Sequence, residues 1–387
     1  MALRRSDYVR YALSIQYHGA HFLGVTADLN QEDKLLKNGG DLRGYVSVET
    51  RVRRALAQVT SARGLLNSDD DTFPLFENIQ FSSRTDRGVH ALHNTFHVDI
   101  RADHAARIQH PSQLAKALNG RFRSAPIRTD YYDIDNPQLS ILNHALPYCL
   151  RILHATQAPD SMPNPFHQED PNKPPTEDWH ARHSATERTY VYRIITCPSS
   201  FPDWTVPFEY DRAWHCSSST TTLQQQQQHQ SVFMNIPHMR AAAQRLVGTH
   251  DFSSFRGKGC ERHSPIVTVR EISIHEQPYG GGIVMKNDSP ALEHVQLGTS
   301  GFMNIHNNNH PNHSPFRLIT ILVRGNAFLF RQVRNIVGCL VEVGRGRMRP
   351  EEVETILQAR DRSQNRAPMA PPQGLFLAQV RHGDFVV

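Results

Sequence analysis

The stretch Ser82-Ser83-Arg84-Thr85-Asp86-Arg87-Gly88-Val89-His90 sets one carboxylate, Asp86, between two guanidiniums. Two readings fit this spacing. One is a surface ion pair on a turn, an interaction worth little. The other is a carboxylate kept ionised by neighbouring cations in a site that grips phosphates, a setting compatible with covalent or base catalysis. Arg334 is also out of place, standing between Val333 and Ile336 on an otherwise apolar helical stretch with Arg331 one turn earlier. Such an arginine either finds a carboxylate partner or snorkels to solvent. Tyr190 and Tyr192 alternate along a strand, as half-buried sheet residues or as rings offered to a nucleobase. His180, Arg182, His183 and Arg188 precede or flank them and suit phosphate contact.

Other chemistries are poorly provided for. Cys260-x-x-His263 has metal-like spacing but no second pair of ligands. His93 and His97, following His90, lie on one face of a strand but too far apart along it for easy joint ligation, which favours structural or RNA-facing roles. The chain holds no G-x-x-x-x-G-K-[ST], strand-led G-x-G-x-x-G, H-E-x-x-H or G-x-S-x-G. Neither a nucleotide cofactor nor a metal is therefore expected. A glycosidase or nucleoside hydrolase would want a second carboxylate about 5–10 Å from the first, and none stands out.

The 387 residues carry 42 Lys plus Arg against 37 Asp plus Glu, and 23 His. The balance is mildly basic and rich in arginine, which forks onto phosphates and stacks on bases. Length suggests two or three domains. No run approaches the ~18 apolar residues of a membrane span. The five cysteines are scattered and form no C-x-x-C, so a reducing compartment is expected. The basic start MALRRSDYVR runs straight into a strand-like YALSIQY, without the apolar core of a secretory signal and with little room for a long cleavable presequence.

Strand and helix patterns alternate around these residues. Strands are expected at 10–17, 76–81, 94–100, 149–154, 188–196, 266–274 and 316–325, with a closing strand in GLFLAQV. Ser47 caps a helix carrying Val48, Val52, Ala55, Leu56 and Val59 on one face, and Pro111 opens another that closes near Gly120. A helix precedes Pro147, one runs from Pro237 to Val247, a long one spans 327–343, and Pro350 with two glutamates starts the last. Asp86 thus falls on a loop between two strands. Residues 155–178 read as a Pro-rich linker separating an N-terminal sub-domain, 1–154, from a C-terminal one, 179–387. Low-complexity runs near 217–230 and 287–314 read as disordered insertions. The order makes the chain α+β.

Together these pieces resemble the TruA-type tRNA pseudouridine synthases. Arg84-Thr85-Asp86-Arg87-Gly88-Val89-His90 matches the family's R-T-D-x-G-V-H. YHGAHFLG (17–24) is similar to Y-D-G-x-x-F-x-G, and VETRVRRAL to the helix that follows it. WHARHSATERTYVYRI (179–194) matches F-H-A-R-x-S-A-x-x-R-x-Y-x-Y, and LVGTHDFSSFR, FLFRQVRNIVGCLVEVG and APPQGLFLAQV also correspond. FLGVT replaces the usual F-x-G-W-Q, Ser83 stands where Gly is frequent and Arg87 where Ala or Lys is. LGVTA and SSRTD are similar to the animal tRNA pseudouridine synthase-like branch.

The resemblance implies the pseudouridine synthase fold, a mixed, largely antiparallel sheet with flanking helices in two related sub-domains around a cleft. It implies a cofactor-free isomerisation of uridine in tRNA, or alternatively in other RNA, with Asp86 as the essential aspartate, attacking the ribose or abstracting its 2′ proton. Arg334 matches the arginine that pairs with that aspartate, Tyr190 the tyrosine that stacks on the target base, and Arg84 the arginine associated with extruding the uridine; Arg182 joins them as a substrate contact. A homodimer and a mitochondrial location follow from the same resemblance, with the cytoplasm or nucleus as alternatives. The rival reading is a catalytically inactive RNA-binding or RNA-assembly protein that keeps the cleft.

Overall fold

The computed structural model describes residues 7–26, 47–61, 75–124, 149–163, 176–198, 206, 209–218, 234–279 and 316–387. The helix expected before Pro147, residues 219–230 of the first insertion and the whole of the second lie outside the described residues. The chain forms two compact units, Met1–Thr186 with Val380–Val387, and Glu187–Gln379. The division between these units falls at Thr186/Glu187.

The first unit is built on an antiparallel sheet. Strands β1 (Tyr8–Tyr17), β2 (Phe76–Phe81), β3 (His90–Arg101) and β4 (Leu150–Gln157) lie in the order β4-β1-β3-β2. Both faces of β1 are buried. Tyr11, Leu13 and Ile15 fill one, as the alternation predicts, while Ala12 on the other meets Trp179, Ala181, Ala158 and Val387. The small side chain of Ala12 leaves room for the indole.

Helix α1 (Val48–Ser61) packs against β2, and α2 (Pro111–Ser124) against β4 and α1. Ser47 caps α1 as expected, its Oγ accepting from the Thr50 N–H at 3.0 Å. Helix α2 runs past Gly120, where the sequence pattern ends it. Gly120 is not among the glycines with positive φ that stop helices, and Asn119 bonds the Ile152 backbone in both directions at 2.8 Å, tying this turn to β4.

Arg10 and Asp99 face each other across β1 and β3. The guanidinium is bidentate, Nε donating to Oδ1 at 2.6 Å and Nη2 to Oδ2 at 2.7 Å, while Nη1 donates to the Trp179 carbonyl at 2.8 Å. One arginine thus fixes strand register and the approach of the Trp179 segment.

In the second unit, β5 (Glu187–Pro198), β6 (Trp214–Ser218), β7 (Gly248–Asp251), β8 (Ile266–Pro278), β9 (Arg317–Gly325) and β10 (Leu375–Arg381) form a sheet in the order β10-β5-β9-β8-β7. Strand β6 runs parallel to β5, and its first residues of low-complexity character, Ser217 and Ser218, are strand rather than insertion. Strand β9 is apolar along nearly its whole length because both of its faces are buried. Helix α3 (Ile236–Gln244) packs on β8 and on both α4 (Gln332–Gly344) and α5 (Pro350–Ala359).

Helix α4 begins five residues later than the hydrophobic pattern predicts. Arg331 has φ +60, a left-handed conformation that interrupts the helical path, and the Gln332 Oε1 accepts from the Leu329 N–H at 2.7 Å. All five thiols are free, and burial pushes those of Cys216 and Cys339 up to about 12. Among the described residues no helix is long and apolar enough to cross a membrane.

Two stability tests follow. Burial alone raises the Asp99 carboxyl, but the Arg10 and Asn78 hydrogen bonds and the Arg10 charge outweigh it and hold the group below its ordinary range. A depressed carboxyl contributes stability that is complete above the unfolded value near 4 and disappears as pH falls through the lower folded value. Asp99→Asn is therefore expected to cost about 3 kcal/mol at neutral pH, the low end for a broken buried pair. The gap to wild type should narrow below pH ~4 in urea melts across pH. Gly120→Ala is expected to stabilise the first unit by about 1 kcal/mol, because a Cβ there meets nothing within 4 Å.

Candidate active site

Asp86 is half-buried in the loop joining β2 and β3. The Val89 N–H donates to its carbonyl at 3.1 Å, and Gly88 sits at φ +81, where a side chain would be strained. The loop is fixed from both ends. The Ser82 N–H donates to Thr95 O at 2.8 Å and Asn94 Nδ2 to Ser83 O at 2.9 Å. The Thr85 and Tyr17 hydroxyls meet at 2.8 Å, and the Val25 N–H donates to Thr85 O at 3.1 Å.

Residues 17–25 form the floor beneath this loop. A Cβ on Gly19 would stand 2.0 Å from Val89 O, and one on Gly24, itself at φ +116, 2.9 Å from Thr85 O. The Gly19 N–H also donates to His90 Nδ1 at 3.1 Å. The glycines of YHGAHFLG thus let two backbones touch, which explains why that motif accompanies Arg84–His90.

Arg84 and Arg182 are exposed and line one cavity of about 260 Å³ with Arg53, Glu49, Gln80 and Thr26. Arg53 is paired to Glu49 at 2.6 Å. Three guanidiniums against one carboxylate leave an excess of positive charge two residues along the chain from Asp86, a setting suited to a phosphodiester. Arg53 escapes sequence reasoning because helical periodicity fixes its apolar face but not what the polar face lines; its place in VETRVRRAL is the only signal.

Arg182 is presented by a tight turn. His180 Nδ1 accepts from the N–H groups of Arg182 at 3.0 Å and His183 at 3.3 Å. Accepting these requires a neutral imidazole, and burial, with the nearby His183, Arg10 and Arg182 charges, brings the His180 value down to about 4.

Tyr190 and Arg334 stand in the second unit. Tyr190, on β5 opposite Val323, is buried with its ring edge-on to Phe328 at 5.3 Å. Tyr192 is fully buried and its hydroxyl donates to Pro371 O at 2.7 Å, a structural role. Arg334 is buried on α4 rather than snorkelling; its Nε donates to Ala370 O at 2.8 Å, and its own carbonyl accepts from the Ala370 N–H at 3.1 Å. A Cβ on Gly338 would lie 2.0 Å from Pro368 O, so the same close approach fixes helix and segment together. Arg188 Nη1 donates to Asn326 O at 2.8 Å.

The histidines of β3 serve the fold. His97 Nδ1 accepts from the Ala181 N–H at 3.1 Å and His93 Nε2 bonds Val387 O at 3.3 Å. Cys260 and His263 belong to no group of three or more ligand-bearing side chains among the described residues.

A β2–β3 loop carrying an aspartate within R-T-D-x-G-V-H, on a largely antiparallel sheet with flanking helices, is consistent with the pseudouridine synthase fold. Residues 242–382 match the family model described as tRNA pseudouridine synthase. The mouse protein tRNA pseudouridine synthase-like 1 is 29% identical over 377 residues, covering 97% of this chain and 94% of its own length. The human protein of that name is 28% identical over 381 residues, covering 97% and 90%. The tRNA pseudouridine synthase A of Dinoroseobacter shibae is 29% identical over 375 residues, covering 96% of each. Over residues 242–382, and more weakly along nearly its whole length, this chain is similar to proteins named tRNA pseudouridine synthases.

Gly19→Ala must push the Asp86 loop away, since the obstructing atom is backbone. The Val89 amide, which donates to Asp86 O, is expected to lose at least tenfold of its hydrogen-exchange protection, as a local opening would give, while strand amides of β3 keep theirs. Native-state hydrogen exchange checks this, and equal losses in both would point to general unfolding.

Proposed function

We propose that this chain isomerises uridine to pseudouridine in tRNA, with Asp86 as the catalytic carboxylate. The observation that carries the reading is the Asp86 loop, held against backbone on one side and bonded to β1 and β3 on the other. The names of its relatives support the same activity. The reaction breaks the C1′–N1 bond, turns the base and joins C1′ to C5. The proton lost at C5 is balanced by one gained at N1, so no redox partner enters. Attack on the ribose and abstraction of its 2′ proton both require an ionised carboxylate at a fixed place, which a rigid loop supplies.

Arg84 and Arg182, with Arg53, are assigned to the RNA backbone, because their cavity carries excess positive charge beside that loop. Tyr190 and Arg334 keep the substrate-binding roles that their motifs imply. Homodimerisation and a mitochondrial location are carried over from the family resemblance, to be read by light scattering and by fractionation of cells expressing a tagged chain.

The test is pseudouridine mapping of total and mitochondrial RNA from cells lacking this protein, restored with wild type or Asp86→Asn. Specific tRNA sites should vanish and return only with wild type, while purified Asp86→Asn still binds tRNA within a few-fold. Equal rescue by the variant would leave RNA binding, not isomerisation, as the function.

A further inference from the structure

Phe330 is one of the few large apolar side chains left exposed among the described residues, at 38%. It lies in the turn between β9 and α4, where the hydrophobic pattern alone would continue the helix inward. The left-handed backbone of Arg331, φ +60, takes it out of that path at a cost in conformational free energy. The Arg331 guanidinium sits 4.6 Å from the centre of the Phe330 ring.

The other side of the residue is fixed by Gly257. Its N–H donates to Phe330 O at 2.7 Å, and a Cβ there would stand 2.9 Å from the ring atom Cδ1. Gly257 lies at the start of the loop Arg256–His263, RGKGCERH, in which Lys258, Arg262 and His263 are exposed along with a single carboxylate, Glu261. Arg256 Nη2 closes that loop by donating to Cys260 O at 2.7 Å and Arg262 O at 3.2 Å. A strained turn, a glycine contact and a braced basic loop therefore converge on one outward-facing aromatic ring.

We propose that Phe330 and Arg331 form a stacking platform for an unpaired base of the RNA, with Lys258 and Arg262 taking the adjoining phosphates. The proposal rests on the tRNA reading above. A base supplies an apolar face for the ring and a phosphate for the cations. It must be unpaired, because a paired base has its faces covered by its neighbours. A single ring among cations offers too little apolar area for a second copy of the chain.

The experiment titrates full-length wild type, F330A and F330W with a fluorescent single-stranded oligouridine and with a blunt RNA duplex of equal charge, at two salt concentrations. F330A should weaken the single strand about fivefold or more, leave the salt slope unchanged and leave the duplex unaffected. F330W should stay within about twofold of wild type, since an indole also stacks. Wild-type affinity in F330A, equal losses in F330A and F330W, equal losses on duplex, or a change of native mass in F330A would each overturn the proposal. Pseudouridine formation by wild type in the same preparation is read separately, so a failure of the isomerase reading is distinguishable from a failure of the platform.

Discussion

There is no room for a side chain at residue 19, and that exclusion fixes where Asp86 can stand. The contact is backbone against backbone, Gly19 against the carbonyl of Val89, so no rotamer can relax it. The loop then inherits the geometry of the sheet. Tyr17 and Asn94, which hold Thr85 and Ser83, sit at the end of the β1–β3 ladder, where the register shifts between Ile15 and Tyr17. An irregularity there re-aims side chains without weakening the strands behind it. The Asp86 carboxylate therefore stands on a rigid base, the support that a precisely positioned group requires.

The arginines divide into two populations that net charge cannot distinguish. Arg10 and Arg193 are spent on buried carboxylates, Asp99 and Glu209, each in bidentate geometry. Arg334, Arg188 and Arg240 donate to backbone carbonyls that would otherwise lose water. Arg84 and Arg182 are exposed on one cavity, and Arg331 lies over an exposed ring. A formal charge of +5 counts them all alike. Exposure, not net charge, separates the arginines that a polyanion could reach, and Arg84, Arg182 and Arg331 lie where the motifs lie.

Much of this is legible in the residues themselves. Alternation marks β1 and β3, and the Ser47 and Pro350 signals mark the starts of α1 and α5, because each is a local preference that packing does not oppose. The start of α4 is not legible. Apolar spacing continues through Phe328 and Phe330, while the backbone at Arg331 obeys a tertiary contact with Gly257. Strand β6 is hidden because its five residues end in serines that continue into a polar run. Arg53 is hidden because a polar helix face carries no mark of what it lines. The loop carrying Asp86 can be read as a site because its residue types fit poorly with a plain turn, but its rigidity depends on contacts such as Tyr17 with Thr85 and Gly19 with His90, 68 and 71 residues apart in sequence, which no local pattern contains.

The motifs scattered through the second unit form one lock. Asn335 Nδ2 donates to Phe255 O at 2.7 Å, binding α4 to the GTHDFSSF segment. Arg334 and Gly338 bind the same helix to residues 368–370, and Tyr192 reaches Pro371 from β5. Such a lock depends on a few residues meeting in space and is indifferent to the length of chain between them. Strands β8 and β9 show this physically. Their ladder runs to Pro278 opposite Arg317, and the Tyr279 N–H donates to Phe316 O at 3.0 Å, so the pair is closed just where the chain leaves for residues 280–315. The entropy of closing a loop rises only with the logarithm of its length. A long polar insertion at a closed strand end therefore costs little, and the elements that hold Tyr190 and Arg334 keep their places.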